Sequence, residues 1–482
     1  VRHNRRSLAG FFWFCLAAVF IIAPGCVALS DSGNLTGRTC VLAPDFAEGG
    51  RLSIFLRLDR PDVPRLQLKI AAIEILDGAT WIPLSGGAVT VDTGSLGRGQ
   101  ILVGRRRIPA GTCKSLRFNL VEAERIKKDG SRVKLSIEQP TSVIPLSNPI
   151  ELGLDTSESL FASWDVERSL RGDVLLPPVL SVASSKTLPL VADLAYVSCP
   201  NIDTVYMFRT DRNWVHGSIG VPGEPRQLAL DEANGKLYIL ASKAGQILVV
   251  DTKSNRVIDR IGLSMLQEPS FMAIDSNGAN AFVIDGRGNY LARYDLASGN
   301  LAGRARIGQK MNYALYLPDH ERVAVASSLD QAVYLVNPED LAVQQEIPVN
   351  GEPQGLAIDG DTLYIAEESS NTVAVYDLAA RKLLNRVRVG FAPYRIMVAN
   401  GEVFVSNRDS GSVSLFRTGQ IYAARTLKGA AVPTELAESA RNHWLYIADA
   451  NCGGVRVFDA TSKLVAGLVD LQAAPGDIVV LH

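Results

Sequence analysis

Residues 363–377 read Leu363-Tyr364-Ile365-Ala366-Glu367-Glu368-Ser369-Ser370-Asn371-Thr372-Val373-Ala374-Val375-Tyr376-Asp377. Two apolar runs of strand length flank a short polar segment, the pattern of a tight hairpin. Gly355-Leu356-Ala357-Ile358-Asp359 supplies a run before it and Leu383-Leu384 the start of one after it. Four short strands thus make one unit, and the unit recurs. Gln227-Leu228-Ala229-Leu230-Asp231 leads in the same way to Leu237-Tyr238-Ile239-Leu240, then to Ile247-Leu248-Val249-Val250-Asp251 and Val257-Ile258. Further units begin near Phe271, Asn312, Arg395 and Glu435. Seams fall at Pro225, Pro269, Lys310, Pro353, Pro393, Pro433 and Pro475, spaced by 44, 41, 43, 40, 40 and 42 residues.

A fixed period with four short strands per unit predicts a β-propeller, since a β-helical coil would need shorter units. Leu194-Ala195-Tyr196-Val197-Ser198 corresponds to the second strand of a unit that lacks its first. Gly476-Asp477-Ile478-Val479-Val480-Leu481 supplies the missing strand. The expectation is a seven-bladed propeller over 190–482, closed by its own carboxy terminus. The hairpin 363–377 resembles the YVTN-type propeller family of bacterial surface and periplasmic proteins over about 290 residues. That resemblance implies fold rather than activity.

Upstream, short alternating runs such as Leu52–Leu58, Leu66–Leu76, Ser115–Ala123 and Val133–Ile137 are punctuated by Asp77-Gly78, Ser85-Gly86-Gly87 and Asp129-Gly130. This alternation predicts a β-sandwich over 40–182, joined by a linker at 183–189. The fold class is therefore all-β, an N-terminal β-sandwich followed by the propeller. Leu66-Gln67-Leu68-Lys69-Ile70, Trp81-Ile82-Pro83-Leu84, Ile108-Pro109-Ala110-Gly111-Thr112 and Trp164–Leu170 occur in an order that resembles a lipoprotein sandwich family of unknown function, prealbumin-like or carbohydrate-binding-like. Cys113 stands where that family has an aromatic residue, and the resemblance suggests its pairing with Cys40.

The first residues form a targeting segment. Arg2, Arg5 and Arg6 precede an apolar run from Leu8 to Ile22, which suits a signal-peptide core better than a membrane-spanning helix; the alternative is an uncleaved anchor or an ordinary signal peptide with Cys26 incidental. Ala23-Pro24-Gly25-Cys26 resembles a bacterial lipobox. It implies a signal peptide over 1–25, lipidation of Cys26, a tether over 26–39 and membrane anchoring through the lipid, at the outer membrane and facing the periplasm or the cell surface.

Composition narrows function. With 47% hydrophobic residues and net charge −1 the chain is an ordinary globular protein without the basic footprint of a nucleic-acid binder. The absence of Cys-x-x-Cys-His excludes c-type haem, and the chain has no Gly-x-Ser-x-Gly elbow, zinc helix or P-loop. Cys199 and Cys452 fall in the strand 2–3 loops of the first and seventh units, neighbours after closure. They are either a disulfide stapling the ring or two free thiols.

Candidate ligand residues cluster on one face, where strand 1 begins and strand 2 ends. Arg226, Gln227, Asn312, Arg395, Glu435 and Asp477 come from the first set, and Asp285, Glu367, Asn407 and Asp449 from the second. Together they could form a polar funnel for a small polar ligand, a peptide or Ca²⁺; otherwise they are solvated loop residues and turn caps. Asp251, Asp295, Asp377 and Asp459 recur at the strand 3–4 turn and read as turn caps. No catalytic residue, metal ligand or resident cofactor is assigned. The functional expectation is a non-catalytic platform for protein or glycan partners. The alternative is a lactonase- or lyase-like propeller enzyme using a cation or carboxylates at the mouth.

Overall fold

The computed structural model describes residues 41–185, 192–423 and 425–481. The signal segment, the lipidation site Cys26, the tether and Cys40 lie outside them. Apart from three single-turn helices the described chain is strand, turn and loop, and among the described residues no helix is long and apolar enough to cross a membrane.

Residues 50–184 form two large facing sheets and a small three-stranded one ordered Leu170–Arg171, Val174–Leu175, Ser136–Ile137. One large sheet has the strand order Val179–Ser184, Ser157–Asp165, Gly50–Leu58, Gln100–Ile108. Gly50–Leu58 runs parallel to Ser157–Asp165 and antiparallel to Gln100–Ile108. The other is built on the long pair Leu66–Asp77 and Gly111–Ile126. Leu66, Leu68 and Ile70 are buried at even positions, and Ile73 and Ile75 at odd ones. A register shift between Ile70 and Ala72 moves the apolar set across by one residue, so the same face stays on the core. Both sheets contribute to one apolar layer around Leu52, Ile54, Leu116, Phe118 and Trp164.

The propeller has seven four-stranded antiparallel sheets. The first is ordered Trp214–Gly220, Thr204–Arg209, Leu194–Cys199, Ile478–Val480, so the last strand of the chain is the innermost strand of the first blade. Ring closure by the carboxy terminus, as the repeat predicts, thus completes the first blade to four strands. Seam prolines 225, 269, 353, 393 and 433 are each the first residue of an innermost strand, where the missing N–H removes no interior ladder bond.

Aromatic residues at strand 2 pack between blades. Tyr238, Tyr364 and Tyr446 are buried in inter-blade cores. Two hydroxyls reach the next blade: Tyr196 donates to Asn255 Oδ1 (2.7 Å) and Tyr446 to Asn213 Oδ1 (2.8 Å), the latter across the closure. Both asparagines sit at positive φ in the strand 3–4 turn, a conformation Asn tolerates.

The sandwich is not a separate stalk. Gly50–Leu58 is buried on both faces. Leu52, Ile54 and Leu56 face the sandwich core, while Ser53 and Phe55 face blade 1. Ser53 Oγ and Tyr206 Oη share a fully buried hydrogen bond of 2.8 Å, and Phe55 packs against Phe161 and edge-on to Tyr206. The Gln100 amide accepts from Val215 N (2.8 Å) and donates to Val215 O (3.3 Å), imitating a strand partner along the outer edge of blade 1. Arg105 donates to the carbonyls of Leu471 (2.6 Å) and Gln472 (2.8 Å), on the segment that leads into the closing strand. The sandwich therefore covers both the exposed edge of blade 1 and the closing segment.

Candidate functional site: the central channel

In each blade the strand 2–3 loop and the entry to strand 1 share one face, here called the upper face. The residues predicted to form the funnel there separate into two groups with different surroundings.

The strand 2 ends do not face the channel. Asp285, Glu367, Asn407 and Asp449 are fully buried, each opposite the seam proline of its own blade. Asp285 accepts from the amides of Gln267 (3.1 Å), Glu268 (2.9 Å) and Gly288 (3.1 Å). Asp449 accepts from Ala431 N (2.8 Å), Val432 N (3.0 Å) and Asn451 N (3.2 Å). Burial opposes the Asp449 charge, but these amides outweigh it and hold the carboxyl below the usual range. Glu367 takes Asn350 N (2.7 Å), Thr372 Oγ1 (2.6 Å) and the Arg386 guanidinium (3.0 Å). Asn407 binds Ser412 and Ser414. At Asp285, Glu367 and Asp449 the side-chain acceptor clamps the crossover from the preceding blade, so these carboxylates are structural, whereas Asn407 donates within its own blade. The strand 3–4 aspartates act likewise on exposed turns: Asp251 and Asp295 each accept a backbone amide at 2.7 Å from the serine three residues on.

The strand 1 entries converge, and one residue per blade reaches the axis: Gln227, Phe271, Tyr313, Gly355, Arg395, Glu435 and Asp477. Arg395 is the plug. Its Nε donates to Glu435 Oε1 at 2.6 Å, one guanidinium nitrogen donates to Tyr394 Oη at 3.1 Å, and another donates to the carbonyl of Gln354. The guanidinium carbon lies 3.9 Å from the Tyr394 ring centre, 4.6 Å from Tyr313 and 5.7 Å from Phe271. Burial works against its charge, but Glu435 and the neighbouring tyrosines raise its pKa above the ordinary value. Gly355 lets the innermost strand that carries Arg395 approach closely, because a Cβ there would stand 2.4 Å from Tyr394 O and 2.8 Å from Arg395 Cα.

On the other side of the axis Asp477 Oδ2 accepts from Gln227 Nε2 and Leu228 N, both at 2.7 Å. Burial, then the nearby Glu435 charge, pushes the Asp477 carboxyl well above its ordinary value. Asn312 turns sideways to Pro353 O and Gln354 Oε1, both at 2.9 Å. Arg226 stays exposed and pairs with Glu224 at 3.2 Å. Of the ten predicted residues, four (Gln227, Arg395, Glu435, Asp477) form the axial layer.

Beneath this layer lies a channel cavity of about 480 Å³, walled by the innermost strands of three consecutive blades. Gln227, Phe271 and Tyr313 border the plug, Leu230, Ile274 and Leu315 the side, and Tyr316 and Pro318 the lower mouth. The open end is thus the face opposite the one the loop argument selected. Phe271, Tyr313 and Tyr316 were missed because, in sequence, they look like ordinary alternating strand residues. Chemically the cavity offers aromatic and aliphatic walls with Gln227 at its closed end and Asp231, Glu232, Asp275 and Ser276 at its open lower end, which suits an apolar or aromatic group carrying hydrogen-bonding functions. For the Ca²⁺ expectation, among the described residues no three His, Cys, Asp or Glu side chains gather as a cation site.

The disulfide expected between Cys199 and Cys452 is not formed, and both are free thiols. Strand parity is the reason. Ala195, Val197 and Cys199 point together into the core between blades 7 and 1, so Cys199 is directed away from the loop. Cys452 Sγ lies 3.7 Å from Asp449 O and Gly454 O. Cys113 is also a buried free thiol, and its proposed partner Cys40 is outside the described residues. Burial raises all three thiols to about 12, with Asp77 adding at Cys113 and Asp449 adding at Cys452.

No family model matches the chain. It is 26% identical over 151 residues to the uncharacterized protein YncE of Salmonella typhi, a match spanning 30% of this chain and 42%, about two fifths, of that protein's length. Among solved structures it is similar to a functionally unknown protein of Desulfotomaculum acetoxidans, with TM-score 0.54, 16% identity and coverage of 60% of this chain and 99% of that one. A 6-phosphogluconolactonase candidate from Bacteroides fragilis gives TM-score 0.51 at 14% identity, covering 61% of this chain and all of that one. These likenesses establish the shared propeller fold.

Proposed function

We propose that this chain is a non-catalytic exported protein of the bacterial cell envelope, anchored through lipid at Cys26, whose propeller is a binding or assembly platform for protein or glycan partners. The observation that carries the reading is the engagement of the carboxylates at the upper face. Asp285, Glu367 and Asp449 are occupied by backbone amides or arginine, and Glu435 by Arg395. The lactonase- or lyase-like alternative, which works through a cation or carboxylates at the mouth, needs a carboxylate free to move a proton or hold an ion. The test is capture from detergent-solubilised membranes with the lipidated full chain, after mild crosslinking. A reproducible protein or glycan partner supports the platform. Recovery of none, together with turnover of a sugar lactone, would overturn it.

A further inference from the structure

A second cavity lies off the axis, on the upper face between blades 3 and 4. It measures about 860 Å³, within the range of small-ligand sites. Three arginines stand on it: Arg287 from the strand 2–3 loop of blade 3, and Arg304 and Arg306 from the outer strand Leu301–Arg306. The guanidinium carbons of Arg304 and Arg306 lie 4.9 and 5.1 Å from the centre of the Tyr290 ring. Elsewhere in the propeller, guanidinium groups are commonly paired with carboxylates, as in Arg386–Glu367, Arg395–Glu435, Arg408–Glu368 and Arg209–Asp211. Among the described residues these three have no ion-pair partner. Arg304 makes one long contact, to Met265 O at 3.4 Å.

The one carboxylate lining the cavity, Asp330, makes no ion pair with them. Asp330 accepts from Gln309 N (2.7 Å), Ser327 Oγ (2.8 Å) and Tyr334 Oη (3.2 Å). This packed floor requires Gly308, where a Cβ would come within 2.7 Å of the Tyr334 ring and 2.8 Å of Asp330. Beside the arginines the exposed side-chain amides of Gln267 and Gln309 line the same cavity. The cavity therefore combines concentrated positive charge, a tyrosine ring and neutral amide groups. Planar guanidinium forks match carboxylates in bidentate fashion. Amide side chains match hydroxyls, and the volume admits several units of an oligomer rather than one ion.

We infer that the cleft between blades 3 and 4 binds an acidic saccharide, a short oligomer whose sugar units carry carboxylates, through Arg287, Arg304 and Arg306, with Tyr290 holding the guanidinium groups of Arg304 and Arg306 in place. This deepens the platform reading by assigning it a glycan ligand, and it rests on that reading. The small net charge of the whole chain argues for a short ligand held locally, not for an extended polyanion such as nucleic acid.

The test is calorimetric titration of the full-length protein with tetragalacturonate, with cellotetraose as the neutral control and tripolyphosphate as the charge control. Saturable binding of tetragalacturonate with none of cellotetraose is expected. Arg304→Ala/Arg306→Ala should weaken it at least about tenfold with unchanged circular dichroism. Arg304→Lys/Arg306→Lys, which keeps the charge but loses the fork, should fall between the two. No binding of tetragalacturonate at millimolar concentration, equal binding by the alanine variant, or tighter binding of tripolyphosphate that competes with the sugar each overturns the proposal. Membrane capture with the alanine variant separates the two readings. A partner still recovered while tetragalacturonate fails removes this site and leaves the platform standing, whereas failure of both removes both.

Discussion

Arg395 is the side chain on which the axial layer depends, and replacing it by methionine tests the packing of the channel. Methionine keeps much of the volume and removes the charge. The ion pair it breaks is well shielded, with side-chain exposures of 7% for Arg395 and 12% for Glu435. Glu435 would then keep its charge without its partner, next to Asp477. Breaking a buried pair on one side costs about 3–5 kcal/mol, whereas removing both charges together is often close to neutral. Loss of the stacking on Tyr394 and Tyr313 adds about 1 kcal/mol. Unfolding entropy near 60 °C is about 2.1 cal/mol/K per residue, so a cooperative unit of roughly 440 residues would lose about 4–7 °C in Tm. Arg395→Met should show that loss in scanning calorimetry at neutral pH, and Arg395→Met/Glu435→Gln should recover most of it. A single variant as stable as the parent, or a double variant no better than the single, would refute the argument that a desolvated ion pair seals the channel.

Other outcomes follow from the same geometry. The raised Asp477 carboxyl contributes stability that is full below the unfolded carboxylate range near pH 4 and is lost as pH rises through its elevated folded value. Asp477→Asn should therefore flatten the high-pH limb of the urea midpoint against pH, and curves of equal slope would contradict the assignment. Tyr206→Phe leaves Ser53 Oγ unsatisfied and should cost about 1–3 kcal/mol, while adding Ser53→Ala should cost little more; independent, additive losses would sink the coupling. The parent should also unfold in one transition by probes in sandwich and propeller, because Ser53, Gln100 and Arg105 tie the two together. Maleimide should leave Cys113 and Cys199 unmodified in the native protein and label Cys113, Cys199 and Cys452 after unfolding without reductant; protection of the Cys199 and Cys452 peptides until reductant is added would restore the disulfide.

Much of the architecture is a local property of the chain. Period-two alternation and the seam prolines set strand length, blade number and the missing first strand near Leu194, because each blade is a hairpin unit whose pattern is complete within about 42 residues. The recurring aspartates after strand 3 were readable as turn caps for the same reason: their partners lie within three residues. Sandwich strands were readable too, except that Gly50–Leu58 looks half-solvated when its polar face, with Ser53, is buried against blade 1.

What the sequence by itself determined is therefore the set of units and their closure. Tertiary structure decided what those units place together. Whether Asp449 meets solvent or the amides of Ala431 and Val432 depends on the crossover between blades, not on its own strand. Arg395 becomes a plug because the strand entries converge, and Gly355 lets the strand that carries it pack close to its neighbour. The arginine cleft joins residues from Gln267 to Tyr334 across two blades. Side-chain alternation is set by neighbouring residues, but charge compensation and cavity shape arise from groups brought close by ring curvature. A one-residue change of facing, as at Cys199, is enough to turn an expected bridge into a buried thiol.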